Sequence, residues 1–110
     1  MAAPPSAKRD RIANFIPDLV NYTHETVYGE VWEKKGLSKR DRSLVTVAAL
    51  IAMYRPEQLE GHLGRAINNG VTVDEIKEVI THLAFYAGWP SAMSAAQLAY
   101  TVFVEGKKQD

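Results

Sequence analysis

Between Ile16 and Phe103 the apolar residues return every three or four positions and never alternate as a half-buried strand requires. That pattern restricts the chain to helix-on-helix packing, each segment burying one stripe. At 110 residues the chain has the size of one domain. The expectation is an all-α, single-domain bundle of about five main helices, on residues 11–106. Residues 1–10, with Pro4 and Pro5, and residues 107–110 offer little apolar area and are expected as flexible tails.

Punctuation marks the helices. Pro17 suits the first turn of the first, whose stripe is Ile16, Leu19, Val20, Val27 and Val31; Gly29 weakens its middle and Gly36 ends it. Ser38 caps a second helix that runs to about Tyr54 and stops before Pro56. A third spans about 56–69 and closes on Gly70. The fourth opens at Thr72, with Glu75 three residues on completing a capping box, and ends near Gly88. The last follows Pro90 and carries Ala92, Ala95, Ala96 and Ala99 on one side, with Tyr100, Val102 and Phe103 filling space.

The second helix is apolar on two faces, Leu44, Val47, Ala48 and Ile51 on one and Val45, Ala49, Ala52 and Met53 on the other. A chain this short buries only about two thirds of its unfolded surface and has little room for an enclosed helix. A subunit interface is the economical explanation, so a homo-oligomer is expected.

Charge and cysteine content remove whole classes of function. Lys plus Arg and Asp plus Glu number 13 each, without the basic excess of a nucleic-acid binder. Cysteine is absent, which closes disulfide, thiolate-metal and thiol-redox chemistry. No apolar run reaches the roughly 20 residues of a membrane span, and the first ten residues lack the apolar stretch of a secretory signal. A cytoplasmic protein that contacts neither membrane nor nucleic acid is expected.

His62 falls on the shoulder of the third helix's buried arc, defined by Leu59, Leu63, Ala66 and Ile67, with Gln58 and Asn69 on its side. A shoulder imidazole has an apolar wall and an open approach; it can bring its pKa toward neutrality, or simply bond a neighbour. Gly61 and Gly64 cost about 1 kcal/mol each in a helix and read either as room for close approach or as tolerated weakness. His82 follows Glu78 by four residues, as in a surface ion pair, and no histidine has metal-ligand spacing. Tyr86 and Trp89, at the turn before Pro90, can wall a pocket and offer a hydrogen bond each, or fill core or interface. Lys39, Arg40 and Arg42 crowd the start of the second helix, the wrong end for cations, which an anionic substrate, an acidic partner or, locally, Asp41 would offset.

Taken together, Leu37-Ser-Lys-Arg-Asp-Arg-Ser-Leu-Val-Thr-Val-Ala-Ala-Leu50, the stretch from His62 to Gly70, Gly70-Val-Thr-Val-Asp-Glu-Ile-Lys-Glu78 and Tyr86-Ala-Gly-Trp-Pro90 resemble the carboxymuconolactone decarboxylase family. The resemblance covers residues 37–99. It implies an alkylhydroperoxidase D-like helical fold, a homo-trimer or homo-hexamer, and sites near subunit contacts. The superfamily's peroxidase branch places a Cys-x-x-Cys pair ahead of the histidine; here those positions hold Arg55 and Gln58, and the upstream glutamate's position holds Ser43. A thiol peroxidase is thereby excluded.

The family's founding reaction, of the aromatic-catabolism type, decarboxylates a small unsaturated lactone bearing two carboxylates. The electrons left by carbon dioxide flow through the ring alkene into the lactone carbonyl, so the substrate is its own electron sink and no cofactor is implied. The resemblance therefore points to a carbon–carbon lyase acting on a small anionic organic substrate. It implies His62 as proton donor or enolate partner, Arg42, Arg40 and Arg55 as carboxylate holders, and Tyr86 and Trp89 as pocket wall. The alternative is an oligomeric ligand-binding or structural protein on the same scaffold, since fold alone does not dictate chemistry.

Overall fold

Proline and glycine set most of the helix ends. The structure, a computed structural model, describes residues 3–106, and these fall into two compact units, 3–39 and 40–106. All regular structure in both is helical. Among the described residues no helix is long and apolar enough to cross a membrane.

In the first unit, Ser6 caps α1 (Ala7–Ile12), its Oγ accepting the Arg9 N–H at 3.1 Å. An ordered turn thus begins inside the stretch expected as a tail, for the local reason that a serine precedes a run of helix formers. Helix α2 (Pro17–Tyr22) opens with its proline in the first turn as expected. It then passes into π-helical register over Thr23–Val31, where the Trp32 N–H donates to the Val27 carbonyl five residues back, at 2.9 Å. Gly29 permits this wide turn: a Cβ there would lie 3.0 Å from the His24 carbonyl oxygen. The changed register puts later residues out of 3.6 phase. Of the expected stripe Val20 alone is buried: Ile16 and Leu19 are exposed already before the register change, Val27 and Val31 turn outward within it, and Tyr28 and Trp32 take the buried positions, stacked with ring centroids 5.7 Å apart. Lys39 pairs with Glu33 at 3.1 Å and, by hydrogen bonding, holds that carboxyl below its ordinary range.

The second unit contains α3 (Lys39–Ala52, from Arg40 onward), α4 (Pro56–Asn68), α5 (Val73–Ala87) and α6 (Trp89–Tyr100), with a closing π-helical turn at Thr101–Glu105. One core joins them. Val47 and Ile51 of α3 meet Leu59, Leu63 and Ala66 of α4, Ile76 and Ile80 of α5, and Ala92, Ala95, Leu98 and Ala99 of α6. The α6 alanines allow close packing, and their surroundings are completed by half-buried Val102 and Phe103. Ser43 is the polar exception; its Oγ accepts Asn69 Nδ2 at 2.9 Å, tying α3 to the end of α4. On the side of α3 turned away from this core, Val45 and Met53 are 60 % and 55 % exposed.

Two helix ends share one geometry. After α4, Gly70 (φ 103°) lets the Val71 N–H bond the Ala66 carbonyl and its own N–H bond Ile67. After α3, Arg55 bonds the Leu50 carbonyl and Tyr54 bonds Ile51 in the same way. There the left-handed residue is Tyr54, at φ 54°. A non-glycine residue in this region carries about 1–2 kcal/mol of strain. Tyr54→Gly is therefore expected to stabilise the protein by up to about 1 kcal/mol after the glycine's greater unfolded-state entropy is subtracted, read as a raised urea midpoint.

Candidate functional site

Helix α4 presents a polar stripe that holds the candidate site. Arg55, at its N-cap, and Gln58, His62, Arg65 and Asn69 recur at three- and four-residue steps, within an arc of about 80° at 100° per residue. The core residues Leu59, Leu63 and Ala66 border this stripe on one side; Gly61 and Gly64 lie on the other. Nothing stands within 4 Å of where a Cβ would sit on either glycine. Among the described residues no packing thus explains the two glycines, and the surface beside the stripe carries no side chain at either position.

At the centre are His62 and Arg65, both half-buried. Nη1 of Arg65 lies 3.3 Å from Nδ1 and 3.1 Å from Nε2 of the imidazole. A donor in the ring plane reaches one of these nitrogens and not both, so the guanidinium lies against the ring face. Burial, and then the Arg65 charge, push the imidazole pKa down to about 4, below the neutral range expected from sequence. The ring is neutral at pH 7.

The depressed pKa makes stability depend on pH with a definite sign. The unfolded chain takes up the His62 proton near 6.5 and the folded chain only near 4. Between these values the unfolded state holds more protons, so stability falls as pH falls through this window and is unaffected above it. Linkage sets a ceiling of about 3 kcal/mol, reduced because the ring keeps some solvent contact. Urea unfolding at pH 7 and pH 4.5 is expected to show the loss, and His62→Gln to remove most of it.

The other sequence-predicted residues are placed elsewhere or at the margins. Arg40 binds Glu75, an ion pair that braces the start of α5, and also approaches Asp41 at 3.4 Å. Glu75 simultaneously completes the expected capping box with Thr72. The Thr72 backbone N–H, and then Arg40, hold the Glu75 carboxyl below its ordinary range. Arg42 is half-buried on α3, its carbonyl accepting Thr46 Oγ1 at 2.7 Å. Arg55 is exposed, two helical turns before His62. Tyr86 stacks on His82, centroids 4.7 Å apart, and Trp89 meets Phe85 edge-on at 5.5 Å. Tyr86 and Trp89 are 78 % and 56 % exposed, so within one chain they wall no enclosed pocket. A cavity of about 260 Å³ runs between α5 and α6, lined by Ile76, Ile80, Ala96, Ala99 and Phe103 among others; His62 is not part of it. Arg65 is the residue sequence reasoning missed, although its position three residues after His62 on one helix was a usable signal.

Known proteins share this arrangement of sequence. The chain is 43 % identical over 94 residues to 4-carboxymuconolactone decarboxylase of Acinetobacter baylyi, covering 86 % of this chain and 70 % of that protein. It is 42 % identical over 71 residues to nitrosuccinic acid decarboxylase of Metarhizium robertsii, covering 64 % of this chain and half of that one. An uncharacterised 15.0 kDa protein of Paracoccus denitrificans is 30 % identical over 93 residues, with 82 % of this chain and 69 % of that protein covered. Residues 17–101 match the model of the carboxymuconolactone decarboxylase family, and the chain belongs to that family.

Proposed function

We propose that this chain is a decarboxylase of a small unsaturated lactone bearing carboxylates, of the 4-carboxymuconolactone kind. The observation that carries this reading is the 43 % identity to an enzyme of that name, over a span that includes the His62 helix. The second named relative decarboxylates a different small acid. An unsaturated lactone and a nitro group are both electron acceptors, so the shared demand on a protein is the same: orient a leaving carboxylate beside an acceptor and return a proton to carbon.

The residues of α4 suit these tasks. Arg65 offers a guanidinium for a carboxylate, and Arg55 adds positive charge at the helix entrance. His62 supplies the proton as electrons return from the enolate to the ring carbon. Arg42 is a further carboxylate holder, whereas Arg40 has its structural partner in Glu75. The uncovered side of α3 and the exposed Tyr86 and Trp89 support assembly into a homo-trimer or homo-hexamer, whose neighbouring subunits would close the site.

Purified protein incubated with 4-carboxymuconolactone is expected to consume its ultraviolet absorbance with release of one equivalent of carbon dioxide. No turnover of that or any related carboxylated lactone would remove the assignment. The glycines provide a separate check. Gly61→Ala with Gly64→Ala is expected to stabilise the fold by about 1–2 kcal/mol through helix propensity while raising KM, because two methyl groups then stand on the approach.

A further inference from the structure

This inference rests on the decarboxylase reading and deepens it. We propose that Arg65 is a positioning residue that makes proton uptake by His62 conditional on the capture of a substrate carboxylate. The geometry carries the argument. A cation against the ring face, 3.1 and 3.3 Å from its two nitrogens, disfavours a second positive charge on the imidazole. A carboxylate arriving over the low glycine side forms its strongest contact as a bidentate pair with a guanidinium. Pairing with it draws the guanidinium off the ring, and the anion beside His62 then favours the imidazolium.

The neighbouring charges do not supply this coupling. Helix α6, which packs on α4, has no acidic or basic residue from Trp89 to Tyr100, and the closing turn has only exposed Glu105. On α3, Arg40 is bound to Glu75 and Asp41, and Arg42 is half-buried. On α5, Asp74 pairs with Lys77, while Glu78 and His82 are exposed. On α4 itself Arg55 and Glu57 are exposed and Glu60 is half-buried, and Arg65 is the charge that acts on the ring.

The stoichiometry of the reaction gives the coupling its use. Decarboxylation breaks the bond to the carboxylate carbon, passes its electron pair to the lactone carbonyl and releases carbon dioxide. The pair then returns to form a C–H bond, consuming one proton. With a pKa of about 4, about one free ring in a thousand holds a proton at pH 7. Uptake from solvent at the binding step loads the acid only when there is a carbanion equivalent to be protonated. His62 gives up that proton to carbon and returns to its neutral form as product leaves.

The test uses the full-length protein with ¹³C-labelled histidine, His62 being assigned through His62→Gln. Its NMR titration midpoint is recorded with and without saturating succinate, an unreactive dicarboxylate probe, in wild type, Arg65→Gln and Arg65→Lys. Succinate is expected to move the wild-type midpoint up by about one pH unit or more, with proton uptake in weak buffer. Burial remains the larger cause of the low midpoint, so Arg65→Gln is expected to raise the free midpoint only part of the way toward 6.5 and to shrink the succinate response, and Arg65→Lys to preserve part of it. A wild-type midpoint that succinate does not move, whether or not it binds, overturns the proposal, as does an Arg65→Gln midpoint equal to wild type. Turnover is scored separately: lactone consumed with an unmoved midpoint defeats the coupling alone. A moved midpoint with no lactone turnover defeats the decarboxylase assignment instead.

Discussion

His62→Gln is expected to lower kcat by about 10²–10⁴-fold while leaving the fold and KM nearly unchanged. Glutamine keeps a polar side chain of similar reach on the shoulder of α4 but cannot deliver a proton at any accessible pH. The loss is bounded because proton donation is only one contribution; enzymes accelerate reactions by at least about 10⁶-fold, and orientation and electrostatic preorganisation supply the remainder. Steady-state kinetics on the lactone, with circular dichroism to certify folding, measure it. A fall of less than about tenfold would falsify His62 as the proton source and shift that role to water or a neighbouring subunit.

The largest effect on stability is expected one residue further on. Leu63 has no exposed surface and sits where α4 enters the shared core. Leu63→Ala removes three buried carbons and leaves a cavity, at about 2–5 kcal/mol. Against a total of roughly 5–15 kcal/mol, that is a large fraction of the folding free energy. Guanidinium unfolding is expected to show a lowered midpoint with an unchanged slope. Leu63 points about 100° away from His62 around the helix, so kcat per folded molecule is expected to survive. The paired substitutions separate the chemical face of α4 from its packing face.

Local signals were the legible ones. Thr72 and Glu75 form their capping box because its hydrogen bonds span three residues, and Gly70 ends α4 because the left-handed turn it permits is a local matter. The half-buried position of His62 followed from helical phase alone. The π-helical register at Thr23–Val31 did not, because a 3.6-residue period cannot describe it; the clues were Gly29 and an aromatic pair, Tyr28 and Trp32, out of phase with Val27 and Val31. The resemblance implies Arg40 as a carboxylate holder; its ion pair with Glu75 spans 35 residues, a distance that local reading does not cross. Exposure of Tyr86 and Trp89 is likewise a tertiary property. Arg65 was overlooked because motif resemblance drew attention to the arginines before the histidine rather than the one a turn after it.

The endings of α4 bear on how well its chemistry can be aimed. Upstream, left-handed Tyr54 and Pro56 stop any extension toward α3; downstream, Gly70 and the Val71-to-Ala66 hydrogen bond stop any unwinding, and Asn69 is anchored to Ser43. The helix behaves as a short axle held in a bearing at each end. Fixed ends hold the two Cα positions from which imidazole and guanidinium project, and the swing of the long Arg65 side chain is the movement the proposed coupling needs.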